Sequence, residues 1–430
     1  MRAASCNNAQ RVSRVLMGGL KAAAKVRPVT GLGLESSVLT ALVLFSLLGA
    51  TAPDADAAPA EFIDDVKVLF NVVTCQGGAL PEGLDAKAVA WYCERQKPHM
   101  ARFTEHWGTG GKEFLAGLRP PSLPPELVYP FGGGDMMMAL NSFPDAKVIT
   151  TMSLELAGDP RRFKLVKDPA VLKASLNGLL MTSNTTLLSN DSKSVNLSSI
   201  QRGELPGQLS MHLIGLALHS REPVSVRFFR VEPDGTLHYY SRAEIEALEG
   251  TKASKLKAEW KSPDFSPAFA NVEVQFVPMG QPTAAHRVHR HIAADLSNDG
   301  FLKNPGLLAH LEAKGHIAAM TKAASYLLWN PSFSVIRDYL SSHLDFMFSD
   351  STGLLPKFVK KAGLVMETYG SFHQSFLNTA ETSQEDLRRE FASQPRRALP
   401  MRFGYPDGSP EKRSHMMVTH RPDSLPDAGK

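Results

Sequence analysis

Three groups of side chains have the types and spacing to do chemistry. The first is the turn Gly132-Gly133-Gly134-Asp135 together with Glu155. Glycines let a ligand approach the backbone closely, and free N–H groups at a following helix start can receive a phosphate, a carboxylate or a sugar hydroxyl. Glu155 follows the glycines at roughly 20 residues, the spacing at which a strand-end acid binds a ribose hydroxyl. Gly132, Gly133, Gly134, Asp135 and Glu155 are therefore the candidate ligand-binding residues. The second group centres on Asp350, in Ser349-Asp350-Ser351-Thr352-Gly353. If its strand shares a sheet edge with that of Glu155, Asp350 is a candidate catalytic acid, although the Ser-Thr-Gly that follows suits ordinary turn capping equally well.

The third group is histidine. His286, His289 and His291 form HxxHxH with Asp295 nearby. On a strand, 289 and 291 share a face that 286 does not. Two of them with a distant carboxylate could hold zinc or iron, but Arg287 and Arg290 suit a basic surface strand, and no metal is assigned. His212 and His219 lie near one face of a helix, as packing alone would place them. No Gly-x-Ser-x-Gly elbow, HExxH or CxxC is present, so the usual marks of a hydrolase, a metalloprotease or a thioredoxin-like site are missing.

The elements that position these residues begin with residues 127–155. They read as a short strand ended by Pro130 and the glycines, a helix over 136–140 capped by Asp135, a Pro144-Asp145 turn, and a β-branched strand over 147–154 ending at Glu155. This βαβ unit resembles the first motif and second-strand acid of the S-adenosylmethionine-dependent methyltransferases and other Rossmann-type proteins, over about 30 residues. The resemblance implies a three-layer α/β fold with a mostly parallel sheet and a crevice at the glycine turn. Two features depart from it: the glycines do not form G-x-G-x-x-G, and residues 127–129 lack the early acid of the methyltransferase strand. No cofactor is assigned.

Around this unit, strands are expected at 71–75, 224–231, 237–240, 271–278, 286–295 and 344–348. Helices are expected at 163–180, 205–218, 241–249 and 334–343. Residues 306–328 read as helix interrupted at Gly315, residues 182–199 as a surface excursion, and residues 252–262 as a basic connector. The chain divides into a leader (1–58), an N-terminal cap (59–125) ending in a proline-rich connector, a Rossmann-like domain (126–376), and a polar, irregular C-terminal arm (377–430).

The leader carries Lys21, Lys25 and Arg27, then the apolar run 38–52, then Ala55-x-Ala57. This is the pattern of a secretory signal, with Met17 as an alternative start, and the run is short for a permanent membrane span. Secretion or a periplasmic location is expected. Cys75 and Cys93 are then expected to pair, with two buried thiols as the alternative. A net charge of +4 over 430 residues gives no concentrated basic stripe, so nucleic acid is not an expected partner. A polar small molecule is. An exported small-molecule enzyme and a noncatalytic envelope-associated binding or structural protein both fit.

Overall fold

Among the described residues, ten strands form one mixed sheet in the order β4-β3-β5-β6-β2-β1-β7-β8-β10-β9. They are β1 (Glu126–Pro130), β2 (Val148–Ser153), β3 (Arg221–Val231), β4 (Leu237–Tyr239), β5 (Asn271–Pro278), β6 (Arg287–Ala293), β7 (Ile317–Thr321), β8 (Leu344–Ser349), β9 (Val365–Gly370) and β10 (His415–His420). The computed structural model describes residues 58–189, 205–249 and 266–422. Residues 1–57 of the leader, residues 190–199 of the expected excursion and the connector at 252–262 lie outside the described residues.

Five contiguous strands, β6-β2-β1-β7-β8, run parallel. Antiparallel strands extend the sheet on both sides: β5, β3 and β4 beyond β6, and β10 then β9 beyond β8. Helices cover both faces, so β1, β7 and β8 are almost wholly apolar and buried on both sides, while β6 carries two arginines and two histidines. Leu127 and Tyr129 of β1 and Phe346 and Phe348 of β8 pack into one core. Val128 of β1 and Leu344 and Met347 of β8 pack into the other. The period-two alternation of a strand is thus filled on both sides, and the domain is a three-layer α/β Rossmann-like fold.

The first face is closed by helices that include Ile63–Val73, Ala86–Glu105, Met136–Ser142, Pro169–Ser189 and Gly207–Leu218. In Ile63–Val73 the buried residues Val66, Leu69, Phe70 and Val73 recur at three- and four-residue steps, the stripe of a helix lying on a core. This helix overrides the strand expected at 71–75, and Cys75 turns the chain at φ 60°. Cys75 is bonded to Cys93 in the following helix. Closing that loop contributes about 3 kcal/mol in the chain-entropy picture. Gly207–Leu218 is buried nearly all round, because it lies between the sheet and this outer helical layer.

Three further expectations are corrected. Residues 317–321 (IAAMT) form β7, not helix. Alanine favours helices, but this run is buried on every side between β1 and β8, and burial decides. After Thr379 the chain is not an irregular arm: it forms the helix Glu381–Ser393 and then β10, which inserts between β8 and β9. The prolines that suggested irregularity lie between those two elements. The excursion expected at 182–199 also begins later, since Pro169–Ser189 continues as helix.

Register places the site. Pro130 of β1 lies opposite Met152 of β2, Ser153 of β2 opposite Ala293 of β6, and Thr321 of β7 opposite Ser349 of β8. The carboxyl ends of all five parallel strands therefore share one edge, the edge at which such sheets hold ligands. Chain order reverses direction at β1, with β2 on one side and β7 on the other. The turns after these strands flank that switch point.

Candidate functional site

A crevice of about 110 Å³ opens at this edge. Its walls come from Phe131 and Gly133 after β1, Ser153–Glu155 at the end of β2, Ala294–Leu296 after β6, and Ala323–Ser325 with Leu327 and Phe333 after β7. The space takes several waters or a small ring, not a whole dinucleotide.

Glu155 is the unusual side chain. It is 2% exposed, it lines the crevice, and neither carboxylate oxygen has a hydrogen-bond partner. Buried carboxylates are normally paired, because an isolated buried charge is costly. Glu155 therefore has two acceptors ready for donors that a ligand would bring. Asp295, at the same rim, is exposed and accepts the Ser297 N–H. None of the lining residues is basic.

The backbone around the crevice is strained. Of seven non-glycine residues in the left-handed region among the described residues, four lie here: Phe131 (φ 61°), Ala323 (53°), Ser325 (53°) and Tyr326 (59°). Each costs about 1–3 kcal/mol, and such strain gathers at binding and catalytic sites.

The glycine turn divides in two. Gly133, at φ 50°, faces the crevice. Gly132 and Gly134 face the interior. A methyl on Gly132 would lie 2.5 Å from the Tyr129 ring, and one on Gly134 would lie 2.7 Å from Gln208 Oε1 and Met211 Cβ. Asp135 caps the following helix, its Oδ1 accepting the Met138 N–H at 3.4 Å. Its Oδ2 accepts the Tyr129 hydroxyl at 2.9 Å and meets Lys322 Nζ at 2.7 Å. Asp135 and Lys322 are both fully buried. The carboxylate of Asp135 thus occupies the helix start that a phosphate would use.

Asp350 lies outside the crevice, behind its β7 wall. Its Oδ2 accepts the N–H groups of Ala323 and Tyr405, both at 2.9 Å. Its Oδ1 accepts the Thr352 N–H at 2.9 Å and the Thr352 hydroxyl at 2.5 Å. Four donors around a fully buried carboxylate make it a joint between three loops, one of which carries the strained Ala323. We expect Asp350→Asn to cost about 2–3 kcal/mol, because one amide oxygen cannot replace both carboxylate faces and buried N–H groups are left unpaired. Urea unfolding checks this, and a variant indistinguishable from the parent would refute it.

Histidines build the floor. His289 and His291 are buried side by side on β6, while His286 is exposed and bonds Gln275. His212 reaches them from the Gly207–Leu218 helix, with ring centroids 4.3 Å from His289 and 5.2 Å from His291. His291 Nε2 donates to the Glu155 carbonyl at 2.7 Å, and His212 Nε2 to the Gly133 carbonyl at 3.1 Å. Burial pulls the pKa of His289 down to about 3 and that of His291 to about 4. His212, buried beside the other two rings, lies well below the ordinary value. Among the described residues, no group of three or more His, Cys, Asp or Glu side chains is placed to hold a metal ion.

Of the residues expected to act, the crevice brings together Gly133 and Glu155. Gly132, Gly134 and Asp135 support it from behind, and Asp350 from one side. Sequence reasoning missed Lys322, the union of His212 with the HxH pair, and the strained turn after β7. Only the alternation of 289 and 291 hinted at any of these. No family model, curated protein or solved structure matches the chain, so the crevice itself carries the functional reading.

Proposed function

We propose that this is an exported α/β protein whose crevice binds the hydroxyl- or amine-bearing end of a small polar molecule, with Glu155 as the recognition group. The observation that carries the reading is the buried, unpartnered Glu155 carboxylate at the strand-end edge of the parallel core. A vicinal diol or an ammonium group supplies the two donors it lacks. With Glu155 and Asp295 in the lining and no basic residue, the site favours neutral or cationic ligands over phosphates. A nucleoside-type ligand fits this chemistry better than a dinucleotide. The disulfide supports an oxidising compartment, and no helix among the described residues is long and apolar enough to cross a membrane. The alternative is a noncatalytic envelope-associated protein, supported by the interior packing of Gly132, Gly134 and Asp135.

The test is calorimetric titration of the full chain with adenosine, S-adenosylmethionine, AMP and NAD. Adenosine and S-adenosylmethionine are expected to bind, and the phosphate-bearing pair to bind more weakly. Glu155→Gln is expected to weaken adenosine binding by about tenfold or more. It is also expected to raise the melting temperature without ligand, because an amide is cheaper to bury unpaired than a carboxylate. No binding by any of the four, or a Glu155→Gln variant that binds as the parent does, would sink the proposal.

A further inference from the structure

The protons in the histidine floor can be assigned one by one. The Glu155 carbonyl can only accept, so His291 Nε2 carries a proton. The buried His291 ring is neutral, which leaves a lone pair on its Nδ1. Thr151 Oγ1, 3.2 Å from that Nδ1, must therefore donate its only proton to it. The same oxygen then accepts from His289 Nε2 at 2.9 Å. His212 Nε2 donates to the Gly133 carbonyl for the same reason that His291 donates to Glu155. All three rings are Nε2–H tautomers, and the Nδ1 atoms of His212 and His289 remain as buried lone pairs without partners.

Both carbonyls held in this way belong to crevice-lining residues past the ends of their strands, Gly133 after β1 and Glu155 after β2. Past a strand end the ladder no longer fixes the backbone, so another contact must. The His212 ring packs against both of the others, and a close-packed interior resists compression. We propose that His291 and His212 are positioning residues for the crevice, two neutral imidazoles that fix the separation between Glu155 and Gly133. This rests on Glu155 being the ligand-facing acid. His291 holds the Glu155 backbone where its carboxylate stays buried and unpaired. Freed from His291, the side chain would turn to water.

The experiment is a set of melting curves on the full chain without ligand. Glu155→Gln is combined with the parent, His291→Gln and His291→Leu backgrounds. Glutamine retains an amide N–H for the Glu155 carbonyl, and leucine has none. The expected result is that Glu155→Gln raises the melting temperature in the parent and in His291→Gln but not in His291→Leu, where the carboxylate has already reached water. If His291→Leu fails to fold, Thr151→Val against Thr151→Ser gives the same comparison, since only serine keeps the hydroxyl that seats the His291 ring. Equal rises in all backgrounds would overturn the proposal and leave His291 as packing. Adenosine titration adds a second reading, with binding about tenfold weaker in His291→Leu and restored in His291→Gln. If adenosine fails to bind even the parent, the ligand reading falls while the melting curves still decide the role of His291.

Discussion

Between about pH 7 and about pH 5 the folded chain is expected to lose most of its stability, with protons taken up on unfolding. Six imidazoles drive this: His212, His289, His291, His310 and His415, which are buried, and His219, which is half-buried. Burial is the first cause in each. It brings His219 and His310 down to about 4, as it does His291, and His289 to about 3, while His212 and His415 are also lowered. Neighbouring cations reinforce burial at His219, through Lys112, Arg221 and Arg287, and at His310, through Lys314 and Arg290. Unfolded histidines titrate near 6.5, so below that value the unfolded chain binds protons that the folded chain refuses. Stability is therefore fully present above about pH 6.5 and falls as the pH drops toward the folded values. Each imidazole contributes up to about 1.4 kcal/mol per pH unit in that window. Several acting together exhaust the roughly 5–15 kcal/mol that holds an ordinary domain. Denaturant midpoints measured across this range check the expectation, and a flat profile would refute it.

Lys322→Met is expected to be the most damaging single substitution near the crevice, at about 3–5 kcal/mol. Lys322 and Asp135 form an ion pair at 2.7 Å with both side chains at 0% exposure, at the switch point between β1 and β7. Removing the lysine strands a carboxylate where water cannot reach it. The Tyr129 hydroxyl and the Met138 N–H still donate to Asp135, which limits the loss but does not neutralise the charge. Adding Asp135→Asn to Lys322→Met is expected to restore much of the stability, since asparagine carries no charge, keeps an oxygen for the Met138 N–H and can donate its amide N–H to the Tyr129 hydroxyl oxygen. Urea titration of the parent, the single and the double variant tests this. A single variant within about 1 kcal/mol of the parent, or a double variant no better than the single, would show that the pair does not matter as argued.

The first βαβ unit was legible because its signals are local. A proline and three glycines end β1, an aspartate caps the helix, and β-branched residues build β2. Glu155 was legible for the same reason. Lys322 was hidden because residues 317–321 look helical by propensity, and only burial on both faces makes them a strand. The histidine floor was half visible: alternation along β6 put 289 and 291 on one face, but nothing local could say that His212 arrives from another element to meet them. The roles of Gly132 and Gly134 turn on which atoms lie behind them, Tyr129 in one case and Gln208 with Met211 in the other. That is a tertiary fact. The position of β10 is tertiary as well, since His415–His420 reads as a strand only once a place between β8 and β9 exists for it.

That place sets an order of events during synthesis. β8 and β9 have their shared neighbour only after residues 415–420 have been made. Until then each presents a row of unpaired backbone groups, the kind of edge that invites association with other chains. The parallel core can form from earlier segments, but the sheet is completed only once residues 415–420 have emerged. Completion of the sheet therefore waits on a strand made after all the others.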